Sequence, residues 1–106
     1  MIDATDFTIP GTGVFRNKLG IIDPAALARA ATESTALRLA ELQATIVPFA
    51  RNHLSIFYEA FQRYGKGRHP ARLNMGDCFT YAIAKASGLP VLFVGDDFTQ
   101  TDLTAA

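Results

Sequence analysis

Gly88-Leu89-Pro90-Val91-Leu92-Phe93-Val94-Gly95-Asp96-Asp97-Phe98 is the stretch on which the fold class of this chain turns. Val91–Val94 is a continuous apolar run, the character of a strand buried on both faces and therefore of a parallel sheet. Gly88 and Pro90 stop what precedes it, and Gly95-Asp96-Asp97 turns the chain after it. Upstream, Asn74 can cap a helix running to about Ser87. Before that, Leu54, Phe57, Tyr58 and Phe61 recur at helical spacing, and Gly65 closes this second helix near Tyr64 as a C-cap. Thr45-Ile46-Val47-Pro48-Phe49 is a β-prone run that Pro48 ends or pushes to the sheet margin. From residue 45 the order is strand, helix, loop, helix, strand, which predicts an α/β fold with a parallel pair.

Toward the N-terminus the punctuation changes. Pro10, Gly11, Gly13 and Gly20 predict a loop or extended arm over the first twenty residues. Asp23-Pro24 is a helix start, with Asp as N-cap and Pro at the first helical position, and the Ala/Leu/Glu/Arg-rich stretch to about Gln43 extends that helix. Composition shifts near Ala44, so the chain divides into residues 1–43 and 44–106.

The whole chain has 106 residues, 49% of them hydrophobic and 19% charged, which is the balance of one small globular domain and excludes disorder. No apolar run nears the roughly 20 residues that span a bilayer. Met1-Ile2-Asp3-Ala4 lacks the basic-then-apolar pattern of a secretory signal. The single cysteine, Cys78, can form neither an internal disulfide nor a thiolate zinc site. A cytoplasmic protein is expected.

Ten basic and ten acidic residues cancel, but they are unevenly distributed. Arg63, Lys66, Arg68 and Arg72, with His69 among them, form a basic segment. Asp77, Asp96, Asp97 and Asp102 follow. Asp77 falls in the first turn of a predicted helix and Asp97 just past the carboxyl end of a predicted strand, the end at which open α/β sheets gather ligands. Clustered carboxylates are hard oxygen donors suited to Mg²⁺ or Mn²⁺. Such ions activate water and stabilise the charge on a phosphodiester under in-line attack. Each acid also has a plain structural reading. Asn74-x-x-Asp77 has the form of a capping box, and Asp97 can be a turn residue or the cap of a short final helix.

These residues carry a resemblance. The segment from Tyr64 through Gly76-Asp77-Cys78 to Ala82, continued by Gly88–Phe98 and Thr101-Asp102, resembles the second half of PIN-domain ribonuclease toxins of the VapC type, over about residues 45–106. The resemblance implies a parallel sheet flanked by helices, Mg²⁺-dependent cleavage of RNA, a homodimer and a cognate antitoxin. It implies that Asp77 and Asp97 are catalytic and bind the metal, with Asp96 ranked lower. A complete domain of that family opens with a strand bearing a first metal Asp, later joined by a Glu from a helix. Asp3 is the candidate for the first, and no Glu matches the second. Residues 5–43, through Ile9-Pro10-Gly11-Thr12-Gly13 and on to Leu42, instead resemble the N-terminal region of Fic-family proteins. The catalytic signature of that family is absent, since His69-Pro70-Ala71-Arg72-Leu73-Asn74 lacks its Phe and Gly-Asn pair.

The basic loop is read either as a solvated charge run or as phosphate contacts for RNA through Lys66, Arg68 and Arg72. Phe57, Tyr58, Phe61, Phe79 and Tyr81 read as core or dimer surface. Cys78, beside an acid, is not an activated thiol. His53 reads as a packing or surface residue. The expected architecture is thus a partial PIN-like parallel sheet flanked by helices, preceded by a Fic-like arm and helix. The expected function is a metal-dependent endoribonuclease toxin with Asp77, Asp97 and Asp3 as metal ligands, acting on RNA as a homodimer under an antitoxin, with no membrane partner. The alternative is a catalytically inactive fusion or fragment that binds protein. Exposed edges of a short parallel sheet favour self-association.

Overall fold

Ile21 and Ile22 are flanked by a glycine and by the Asp-Pro start of a helix, and they form a strand that pairs with Phe15–Asn17, inside the stretch expected to be a loop. The computed structural model describes residues 8–9, 13–33 and 44–106. The first strand, β1, is Thr8–Ile9. Then β2 (Phe15–Asn17) turns through Lys18 and Leu19 into β3 (Gly20–Ile22). The pair is an antiparallel hairpin in the register Phe15↔Ile22 and Asn17↔Gly20, with the Asn17 Oδ1 accepting the Leu19 N–H at 2.9 Å. Gly13 and Gly20 therefore mark a hairpin rather than an arm, because Ile21 and Ile22 bury almost completely once paired, while Pro10 and Gly11 lie outside the described residues.

Strands β4 (Thr45–Ile46) and β5 (Phe49–Ala50) sit on either side of Pro48. The main sheet has the order β4-β2-β3-β6, with β6 at Val91–Leu92, and β1 pairs separately with β5. The sheet is mixed. β2 runs antiparallel to β3 and β4, while β3 and β6 are parallel, in the register Ile21↔Val91 and Ile22↔Leu92. The apolar strand thus has its expected parallel partner, drawn from residues 20–22. It is shorter than Val91–Val94, and Leu92 is 43% exposed, so only one of its faces is covered. On its other side, Val91 donates to the Thr104 carbonyl and accepts from the Ala106 N–H, both at 2.8 Å.

Three α-helices lie among the described residues. α1 (Pro24–Glu33) starts as expected, with Asp23 Oδ2 accepting the Ala25 N–H at 3.2 Å; its expected continuation, residues 34–43, lies outside the described residues. α2 (Arg51–Tyr64) is capped by His53, whose Nδ1 accepts the Ala50 N–H at 2.8 Å, giving this buried histidine a structural task. Gly65 closes α2 in an extended rather than left-handed conformation, its N–H donating to the Phe61 carbonyl. α3 (Met75–Ser87) starts at Asn74 and ends at Gly88, as its sequence predicts.

Val14, Ile21, Phe49, Ile83 and Val91 form one buried cluster between sheet and helices, and Tyr64, Leu73, Cys78, Tyr81 and Phe98 form a second. Phe57, Phe79 and Phe49 meet with ring centroids 4.8–5.7 Å apart, whereas Tyr58 and Phe61 stay exposed. Full burial of an aliphatic side chain contributes about 1.5–3 kcal/mol, so Ile21 and Val91 make the β3–β6 pair a principal tie between hairpin and helices. Among the described residues no helix is long and apolar enough to cross a membrane.

Gly20 makes the parallel pairing possible. Its φ is +144°, and a Cβ there would lie 2.3 Å from the Pro90 carbonyl oxygen. Gly20→Ala should therefore lower unfolding free energy in a urea titration by about 2–4 kcal/mol. Gly67→Ala, at φ +85° with no atom near its Cβ, should cost about 1 kcal/mol. Equal costs would contradict the close approach.

Candidate metal centre

The parallel pairing sends β3 and β6 out at the same end of the sheet. Asp23 is the first residue beyond β3, and its N–H donates to the Leu92 carbonyl at 3.0 Å, carrying the ladder one step past both strands. Beyond β6 the chain turns through Gly95 and Asp96 into a short 3-10 helix, Asp97–Gln100. Phe98 anchors that turn, buried and 5.4 Å from the Phe93 ring, while Asp97 stays exposed. The Asp96 carbonyl accepts the Thr99 hydroxyl and N–H. Asp77 lies in the first turn of α3.

Asp23 is 4% exposed. Its Oδ1 accepts the Thr80 hydroxyl at 2.6 Å and its Oδ2 accepts the Ala25 N–H. Burial pushes its carboxyl above the usual range; the bonds from Thr80 and Ala25 oppose that, and the charge of Asp97 adds to it. Asp77 and Asn74 cap reciprocally: the Asp77 N–H donates to Asn74 Oδ1 at 2.8 Å, and the Asn74 N–H donates to Asp77 Oδ2 at 3.1 Å. Burial raises the Asp77 carboxyl, the Asn74 N–H lowers it, and the charges of Asp23 and Asp97 both raise it. Asp23, Asp77 and Asp97 thus lie in one electrostatic field. The capping reading of Asp77 holds and does not exclude a second task, since helix N-termini at Asp23 and Asp77 favour negative charge.

Of the acids singled out in the sequence, Asp77 feels the charge of Asp97, while Asp3 lies outside the described residues. The acid that sequence reasoning missed is Asp23, read only as a helix cap. The signal was present: Gly20-Ile21-Ile22-Asp23 repeats the pattern of an apolar run followed by an acid that singled out Asp97.

Lys66, Arg68 and Arg72 are exposed on the loop between α2 and α3. Its base is closed by Leu73 N–H to the Tyr64 carbonyl at 2.9 Å and Lys66 N–H to the Leu73 carbonyl at 3.1 Å, with Ala71 and Leu73 fully buried. The Arg68 guanidinium stands over the Phe61 ring at 5.5 Å, and Arg63 over Tyr64 at 5.0 Å. The loop runs directly into Asn74 and Asp77. Asp102 is occupied elsewhere, accepting the Tyr81 hydroxyl at 2.7 Å and pairing with Lys85 at 2.9 Å. Burial pushes the Cys78 thiol up to about 11, helped by the Asp77 charge, so it carries no thiolate chemistry at neutral pH.

Whether these acids suit a divalent cation can be judged from their chemistry. Carboxylates whose burial and mutual repulsion penalise their charge are relieved by a hard cation, and Mg²⁺ keeps several waters rather than requiring an all-protein shell. Asp23 and Asp77 fit on that count, and the exposed Asp97 adds its charge to both. Among the described residues, however, no three His, Cys, Asp or Glu side chains are placed to hold a metal ion.

If the three acids share one field, neutralising the exposed one must alter the other two. In Asp97→Asn the carboxyl carbons of Asp23 and Asp77 should titrate at lower pH than in the wild type, read by ¹³C NMR. Unchanged midpoints would place Asp97 outside the cluster.

Comparison with known proteins adds kinship to this geometry. The chain is 51% identical over 63 residues to a VapC ribonuclease of Mycobacterium bovis and equally to Ribonuclease VapC36 of Mycobacterium tuberculosis, covering 59% of this chain and 45% of each relative. It is 63% identical over 46 residues to Ribonuclease VapC of Mycolicibacterium smegmatis, covering 43% of this chain and 36% of that protein. The chain thus spans under half the length of these relatives. The PIN-domain family matches residues 19–103, beginning at the β2–β3 turn and ending after the 3-10 helix. With that match over most of its length, the chain belongs to the PIN-domain family.

Proposed function

We propose that this chain is a divalent-metal-dependent endoribonuclease of the toxin type, with Asp23, Asp77 and Asp97 as the acids that hold Mg²⁺ or Mn²⁺. One observation carries the reading: Asp23, beside Leu92 at the end of the parallel strand pair, and Asp77, in the first turn of α3, both feel the charge of Asp97 on the turn after β6. Asp23 takes the strand-end position for which Asp3 was the sequence candidate. The relatives named VapC ribonuclease support RNA as substrate and an antitoxin as partner.

A bound divalent ion would supply activation of water and stabilisation of charge on the scissile phosphate. The protein's own residues do the rest. Asp23 and Asp77 are fixed by hydrogen bonds to the main chain and to Thr80, so their orientation is set before an ion arrives. Asp97, exposed on its turn, is the acid that can meet an incoming substrate complex. Lys66, Arg68 and Arg72 position the RNA backbone by pairing with phosphates, a salt-sensitive contribution. Leu19 and Leu92, exposed beside an apolar groove lined also by Ile21 and Pro90, support the homodimer of this reading. The Fic-like segment adds no chemistry to it.

The second reading, an inactive fragment that binds protein, is favoured by the lack of three convergent ligands among the described residues. Cleavage of a mixed RNA pool with Mn²⁺ separates the two. The nuclease reading predicts metal-dependent cleavage whose kcat falls by about a hundredfold or more in Asp23→Asn, Asp77→Asn and Asp97→Asn. Arg68→Ala and Arg72→Ala should instead raise KM and flatten its salt dependence. No cleavage by folded wild-type protein across a range of metal concentrations would favour the inactive fragment.

A further inference from the structure

Thr80 lies three residues after Asp77, within α3, and is completely buried. A buried threonine in a helix ordinarily donates its hydroxyl to the carbonyl four residues back, which satisfies it at little cost. Here that carbonyl, Gly76 O, stands 3.5 Å from Thr80 Oγ1, at the limit of a hydrogen bond, whereas Asp23 Oδ1 stands at 2.6 Å. A carboxylate can only accept, and the hydroxyl has one proton, so the proton goes to Asp23. The distance falls in the short range typical of a hydroxyl donating to an ionised oxygen. The bond joins residues 57 apart in sequence and ties α3 to the junction of β3 and α1.

The consequence concerns two acids at once. α3 carries Asp77 in its own first turn and, through Thr80, holds the carboxylate of Asp23. One rigid element thereby sets the orientation of both. The second oxygen of Asp23 is held by the Ala25 N–H, so both oxygens have a protein donor and each retains a lone pair for a further partner. We propose that Thr80 is a positioning residue of the cation pocket, its hydroxyl fixing the Asp23 carboxylate relative to Asp77 so that the pair is preorganised for a divalent ion. The inference rests on the reading of Asp23, Asp77 and Asp97 as a cation site and adds a residue that touches no ion itself.

The alternative is that Thr80 and Asp23 merely satisfy each other inside the fold. Thr80→Val keeps the branched shape and removes the hydroxyl, while Thr80→Ser keeps the hydroxyl and removes a methyl. Mn²⁺ affinity of the full chain, measured by calorimetry without RNA, separates positioning from packing. Positioning predicts that Thr80→Val weakens Mn²⁺ binding about tenfold or more while Thr80→Ser stays within about threefold of wild type. It also predicts that Thr80→Val adds no further loss in an Asp23→Asn background, because Thr80 acts through Asp23.

Folded Thr80→Val that binds Mn²⁺ as tightly as wild type overturns the inference and leaves the cation site standing. Absence of Mn²⁺ binding by the wild type overturns the cation site, and this inference with it. Should Thr80→Val fail to fold, Thr80→Ala removes the same hydroxyl without the valine's demand for space and decides by the same criterion.

Discussion

The parallel pairing of Gly20–Ile22 with Val91–Leu92 is the constraint from which the remainder of this protein follows. It brings together two segments about seventy residues apart and fixes which ends of them lie side by side. A slip of one residue would turn Ile21 and Val91 away from the core they share with Val14 and Ile83. The register is held by the bonds from Ile21 and Asp23 to Pro90 and Leu92, and by a glycine that lets the Pro90 carbonyl come close. Because both strands end together, the residues just past them, Asp23 and the turn bearing Asp97, share one edge of the molecule.

That edge concentrates negative charge, which costs stability unless something offsets it. Local backbone donors supply part of the offset. Asp23 and Asp77 each sit at a helix start and accept a main-chain N–H, and Thr80 adds a hydroxyl to Asp23. The offset is incomplete, since both carboxyls remain above their ordinary range. In folded protein such groups bind protons that the unfolded chain has already released. Between the ordinary and the raised value, the ion-free fold therefore loses stability as pH rises.

Much of this was legible in the residues. The helix around Phe57, the Asn74–Asp77 cap and the parallel nature of Val91–Leu92 all follow from local pattern and spacing. The hairpin at 15–22 was not legible, because Gly20 carries the same signal in a loop as in a close strand contact; only the Pro90 carbonyl decides between them. Asp23 was hidden by its other task. Its capping role accounts fully for an Asp before Pro24, and nothing local reveals that β6 lies alongside. Thr80 was invisible for the same reason, since its partner is supplied by tertiary structure alone.

The most direct test of the account is anomalous diffraction from crystals of the full chain soaked in Mn²⁺. The account predicts one principal peak between Asp23, Asp77 and Asp97, reached by their carboxylates directly or through water. Ordered carboxylates with no peak among them, or Mn²⁺ held only at other acids such as Asp96 or Asp102, would contradict it.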